Sequence, residues 1–135
     1  MVDRVSKQRR SANMRAVKGR DTKPELAVRQ LVHRMGYRFR LNRADLPGKP
    51  DLVFPGRRAV IFVHGCFWHA HSCKRGLSTP KTHATFWAKK RAQNVKRDTA
   101  NLVSLRKMTW QALTVWECEL RNARRLRSKI RRFLG

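Results

Sequence analysis

A chain of 135 residues, with 33 Lys and Arg against 8 Asp and Glu and a formal charge of +25, has the length of one domain with a real core. Self-repulsion at that charge density disfavours a compact state unless a polyanion screens it, so nucleic acid is the expected partner, through counterion release. A hydrophobic content of 41% excludes full disorder, and no apolar run approaches the ~18 residues of a transmembrane helix, which makes a membrane the weaker reading.

Met1-Val2-Asp3-Arg4 runs into Lys7-Gln8-Arg9-Arg10 with no apolar export segment, so a cytoplasmic protein is expected. Residues 1–20 hold seven Lys/Arg opposed only by Asp3 and read as a basic DNA-binding arm; residues 21–135 read as a single domain. Ser11 is placed to cap a short helix carrying Met14, Arg15 and Lys18, with Met14 and Val17 giving one face something to bury. The spacing predicts a helix from Asp21-Thr22-Lys23-Pro24-Glu25, with Thr22 and Glu25 as a capping box, Leu26, Leu31, Val32 and Met35 at helical spacing, and Gly36 just past the end. Glu25 thus reads as a cap, with a second role near a metal held open because acids are so few.

Tyr37–Leu41 alternates like a half-buried strand, and Leu46-Pro47-Gly48-Lys49-Pro50 is a stiff turn into a second strand, 51–54, that opens on an acid, Asp51. Pro55-Gly56-Arg57 closes a hairpin into a third strand, 58–64. A long helix is expected over 85–107, with Phe86, Ala88, Val95, Leu102 and Leu105 partly buried and Phe86 in the core. A strand follows at 110–116, then a helix over 121–132 with seven Lys/Arg and no acid, its Leu126, Ile130 and Phe133 facing inward and its charges adding to the footprint on nucleic acid. The order α, β, β, β, α, β, α describes an α/β sandwich with a mixed sheet.

Chemistry concentrates in Val63-His64-Gly65-Cys66-Phe67-Trp68-His69-Ala70-His71-Ser72-Cys73, which holds three of the five histidines and two of the three cysteines. Three cysteines cannot all pair; Cys66, Cys73 and Cys118, with His71 or His69 as the fourth ligand, suit structural zinc, against a bland reading as free thiols. Asp51, His64 and His69 sit where a carboxylate can hold Mg²⁺ and a near-neutral base can activate water. Phe67 and Trp68 cannot both point inward from an extended segment, and wedges of this kind kink a duplex between base steps.

These pieces resemble one family, the very-short-patch repair mismatch endonucleases. The resemblance rests on Asn13-Met14-Arg15, Asp21-Thr22-x-Pro24-Glu25, Leu46-Pro47-Gly48-x-Pro50-Asp51, Phe62-x-His64-Gly65-Cys66-Phe67-Trp68-His69-x-His71-x-Cys73, Phe86-Trp87, Asn94-Val95-x-Arg97-Asp98 and Val115-Trp116-Glu117-Cys118. It implies a restriction-endonuclease-like fold and a monomeric, nucleoid-associated bacterial enzyme. The activity implied is nicking of double-stranded DNA 5′ of the thymine in a T:G mismatch left by deaminated 5-methylcytosine, alongside other repair proteins. It implies further that Asp51 and the main-chain carbonyl of Val63 ligate catalytic Mg²⁺, that His69 is the general base with His64 supporting the metal's water shell, and that Glu25 lies nearby. Cys66, His71, Cys73 and Cys118 would hold Zn²⁺; Phe67, Trp68 and Trp87 would form the wedge, with Met14 reaching the stack from the arm. The Glu-x-Lys found on this strand in commoner members of the fold is absent, since the strand reads Ile61-Phe62-Val63-His64, and the histidines must take over the lysine's work. The competing reading is a non-catalytic, zinc-clipped nucleic-acid-binding protein of ribosomal type.

Overall fold

A computed structural model describes residues 22–41, 43–69, 71–73 and 82–135, so the arm and its Met14, Arg15 and Lys18 lie outside the described residues. Four strands form one sheet in the order β1 (Arg40–Leu41), β2 (Leu52–Phe54), β3 (Ala59–His64), β4 (Gln111–Trp116). The first three form an antiparallel meander, and β4 returns parallel to β3. A parallel return needs a long crossover, which is supplied by helix α2 (Ala84–Lys107). Helices α1 (Lys23–Arg34) and α3 (Ala123–Leu134) complete the layers.

Alternation along the strands divides the interior in two. Leu52, Phe54, Ala59, Ile61 and Val115 pack on one face with Val28 and Val32 of α1 and Leu126, Ile130 and Leu134 of α3. On the other face Val53, Val60 and Phe62 pack with Leu46 and Leu105, the latter from α2. The mixed α/β sandwich of the sequence reading is therefore present.

Four local expectations are corrected. The first strand pairs over two residues only, because Tyr37 and Phe39 pack against the core from irregular chain ahead of it. In α1 the inward residue is Val28, while Leu26 faces out. Thr22 caps that helix by accepting from the Glu25 N–H at 3.4 Å, but the Glu25 carboxylate is buried and pairs with Arg29 at 3.3 Å rather than serving only as a cap. The last helix starts two residues late, behind a 3-10 turn at Glu117–Arg121, and runs on to bury Leu134 while Phe133 is only half-buried.

The end of α1 is as expected. Gly36 sits at φ 95°, with its N–H on the His33 carbonyl and the Tyr37 N–H on that of Val32, the two bonds of a Schellman stop that favours glycine. At Gly48, φ is 80° and an added Cβ would stand 2.8 Å from Asn101 of α2, so glycine lets the turn before Asp51 sit directly on that helix.

Candidate active site and metal centre

The parallel register aligns His64 of β3 with Trp116 of β4. Cys66 and Cys118 each lie two residues past that pair, so both strands deliver a thiol to the same level of the sheet. Cys66, His71, Cys73 and Cys118 bring their ligand atoms within 4.8 Å of one another. Cys118 Sγ stands 3.6 Å from His71 Nδ1, and tetrahedral zinc with ordinary Zn–S and Zn–N bonds separates such a pair by about 3.6 Å. The donor set therefore fits zinc. The Cys118 N–H donates to Cys66 Sγ at 3.4 Å, as it would to a ligating sulfur. Burial pushes the Cys66 thiol up to about 12, the neighbouring Cys73 and Cys118 add to the rise and the Cys118 N–H opposes it, so only a cation makes this thiolate favourable at neutral pH. The spacing that left His69 and His71 interchangeable is resolved by the turn: the His71 N–H bonds the Cys66 carbonyl at 3.0 Å and its ring stacks on Trp116 at 4.1 Å, while His69 turns away.

His69 joins a second cluster with His64 and Asp98. Its ring stacks on His64 at 3.8 Å with 4° between planes, and its Nδ1 lies 2.5 Å from Asp98 Oδ2. An ionised carboxylate only accepts, so Nδ1 carries the proton and Nε2 is left as the basic nitrogen. His64 is buried, and burial above all, with His69 adding, lowers its pKa to about 4, against the opposing pull of Asp98. It is thus a neutral ring at physiological pH, and His69 can take a proton without facing a second charged imidazole.

Asp51 stands at the mouth of the β2–β3 hairpin, and its Oδ2 accepts from the Val63 N–H at 2.6 Å. Burial lifts its carboxyl to about 7; the Val63 N–H pulls it down, Glu25 adds to the rise, and Arg29 and His69 oppose it. A strand residue's N–H and C=O project toward the same antiparallel neighbour, so the Val63 carbonyl opens on the side of β3 that carries Asp51. A half-buried carboxylate with a second acid nearby and a carbonyl on its flank is a donor set for a hard divalent cation.

Phe67, Trp68 and Trp87 form an edge-to-face aromatic group with centroids 5.2–6.0 Å apart. The segment carrying Phe67 and Trp68 is a turn, not extended chain, and both rings are half-buried against one another and Trp87. Two residues of α2 hold this turn: Arg91 donates to the Phe67 carbonyl at 2.7 Å and lies over its ring, and Asn94 donates to the Trp68 carbonyl at 2.8 Å. Phe86 is not core; it is 57% exposed at the outer edge of the aromatic group, and Val95 is exposed as well.

Asp98 enters the sequence reading only inside a motif of the resemblance, with no role of its own. The residues of α2 that face the protein are Trp87, Arg91, Asn94, Asp98, Asn101, Leu102 and Leu105, a clean helical repeat whose first half is mostly polar. Polar residues recurring at core spacing are the signal by which it could have been found.

The family model for the DNA mismatch endonuclease Vsr matches residues 2–75. The chain is 47% identical over 134 residues to the type II nicking enzyme V.XorIIP of Xanthomonas oryzae, covering 99% of this chain and 98% of that one. It is 38% identical over 134 residues to the type II nicking enzyme V.NmeAIP of Neisseria meningitidis, covering 99% and 95%. It is 44% identical over 126 residues to the DNA mismatch endonuclease Vsr of Escherichia coli, covering 93% and 80%.

Proposed function

The chain belongs to the Vsr DNA mismatch endonuclease family, and we propose that it nicks double-stranded DNA on the 5′ side of the thymine in a T:G mismatch, as a Mg²⁺-dependent, zinc-stabilised monomer of restriction-endonuclease-like fold. The observation that carries this reading is the convergence at one sheet end of Asp51 beside Val63 and of a His69–Asp98 pair stacked on neutral His64. Membership of a nuclease family favours it over the ribosomal-type reading, and a binding protein gains nothing from a buried carboxylate and an oriented histidine.

Asp51 and the Val63 carbonyl would hold Mg²⁺, with Glu25 nearby. When bound, the ion supplies charge stabilisation at the scissile phosphate. His69 Nε2 takes a proton from the attacking water; Asp98 fixes the tautomer that leaves Nε2 free and stabilises the imidazolium that forms. His64 is a flat neutral support for that ring. Cys66, His71, Cys73 and Cys118 would bind structural zinc and so fix the turn that carries His69 and the aromatics. Phe67, Trp68 and Trp87 would wedge beside the mismatch, where a mispaired step costs least to unstack. Met14, Arg15 and Lys18 would engage the duplex from the arm. No described helix is long and apolar enough to cross a membrane.

The test is a strand-specific nicking assay with Mg²⁺ on T:G and T:A duplexes of mixed flanking sequence. We expect nicking of the thymine strand at T:G alone, reduced at least ~10³-fold in Asp51→Ala with binding retained. Tight, salt-sensitive binding with no cleavage in any context would reject the nuclease.

A further inference from the structure

We propose that the outward face of α3 is a second phosphate-binding surface, which holds the backbone of duplex DNA flanking the mismatch. The inference rests on the DNA reading above and extends it to a part of the molecule that the chemistry does not use. Of the six cations of α3, Lys129 has a structural role. It turns inward and bonds Glu119 at 2.8 Å and the Thr114 carbonyl at 3.0 Å. Arg124, Arg125, Arg131 and Arg132 are exposed, and among the described residues none of them has a carboxylate partner.

Their arrangement is ordered. At 3.6 residues per turn the four fall within an arc of about 120°, directly opposite the buried Leu126 and Ile130. Arg124 and Arg131 are about 10 Å apart along the axis, so the two ends of the helix can reach different phosphates of a duplex backbone.

A merely solvated helix would not be built this way. The first turn of α3 contains no acid and carries Arg124 and Arg125 at the positive end of the helix dipole, an arrangement that opposes helix stability by a few tenths of a kcal/mol per charge. Asn122 already takes the Arg125 N–H at 3.1 Å, but the positive helix end and two arginines on one turn still favour a phosphate there.

The position is also suitable. The 3-10 turn that contains the zinc-site residue Cys118 leads directly into α3. The helix then runs back along the molecule for about 18 Å until its Leu134 carbonyl accepts from Arg57 at the far end of the β2–β3 hairpin. A duplex leaving the chemistry end of the sheet therefore has α3 as a rail. An acidic protein could also recognise the arginines, but two pairs on one face and the overall charge of +25 match a regular polyanion better.

The test compares wild type, a triple Arg124→Gln, Arg131→Gln, Arg132→Gln variant, and the corresponding triple Arg→Lys variant. Binding to T:G duplexes with progressively longer flanks is measured between 50 and 200 mM salt, and nicking of the shortest duplex is assayed in parallel. On long flanks the loss of affinity across that salt range should be about 40-fold smaller in the Gln variant, the share of three counterion-releasing contacts. On the shortest duplex, binding and nicking should equal wild type, and the Lys variant should restore the salt dependence. Equal salt slopes in all three proteins at every length, which includes the case of an acidic protein partner, would overturn the assignment. So would a loss already present on the shortest duplex, which would put these arginines at the scissile site. Failure of the mismatch-nuclease reading is separate, because it would appear as wild type that does not nick.

Discussion

The two faces of the sheet are built by different rules. Under α1 and α3 the interior is mostly apolar, interrupted by the buried Glu25–Arg29 pair of α1 and by Lys129 turned in toward Glu119, and α3 alternates buried Leu126, Ile130 and Leu134 with exposed arginine. Under α2 the apolar interior stops at Leu102 and Leu105, and the same helical repeat continues through Asn101, Asp98, Asn94 and Arg91 toward the Cys/His cluster. The first face holds the fold together. The second gives half of its interior positions to orienting His69 and the aromatic turn, at the cost of apolar contact. Apart from Glu25 and Arg29, which reach Asp51 from α1, stability and chemistry divide by face, and substitutions should sort the same way.

The largest effect should come at the joint between the faces. Cys118→Ser removes a ligand delivered by β4 and leaves three donors that no longer close a tetrahedron. Freshly purified wild type should carry about one zinc per chain; the variant should lose it and fall by roughly 3–5 kcal/mol in stability, taking activity with it. Metal analysis that finds no zinc in wild type would remove the basis for this. Next come two substitutions that separate the faces. Ile130→Ala, fully buried under the sheet, should cost about 2–5 kcal/mol by denaturant unfolding while the folded fraction nicks normally. Asp98→Asn should do the reverse: a small change in unfolding midpoint, with a ~10²-fold drop in single-turnover rate because the amide permits the wrong histidine tautomer. If Asp98→Asn unfolds the protein, or Ile130→Ala changes the single-turnover rate of folded enzyme, the division by face is wrong.

The same division explains what is legible in the sequence. The strands at 52–54, 59–64 and 111–116 and the helix α3 announce themselves through period and flanking turns, because each has an apolar side. The Cys/His cluster is legible because cysteines are few and lie at strand ends. The inner face of α2 is not, since apolar periodicity is blind to a helix that turns polar residues inward; it counts Phe86 and Val95 as buried and gives Asp98 no role. Nor can spacing choose between His69 and His71, which lie two residues apart, until the turn brings one to Asp98 and the other to Cys118. Glu25 is hidden for a similar reason: an acid in a first turn reads as a cap, and only burial against Arg29 and Asp51 gives it a place in the site.

The effect confined to a pH window concerns Asp51, the acid beside the buried Glu25–Arg29 pair. Asp51 titrates at about 7 when folded, mainly because it is buried, against 3.8 for an ordinary carboxyl. Below pH ~4 both folded and unfolded chains keep this proton, so the site costs nothing there. From pH ~4 upward the unfolded chain releases the proton and the folded chain does not, so stability falls as pH rises and levels off above pH ~7. In chelator, Asp51→Asn should therefore match wild type near pH 4 and exceed it increasingly toward pH 8, by at most about 4 kcal/mol. Comparing the two proteins at each pH removes the opposite trend from His64, whose lowered pKa destabilises the fold in acid. Adding Mg²⁺ at pH 8 should close the gap from the wild-type side alone, since only the carboxylate gains from the cation. Thermal unfolding across pH, with and without Mg²⁺, makes the measurement. A gap constant with pH would mean that Asp51 is already ionised and paired within the protein, with no charge left for a metal to neutralise.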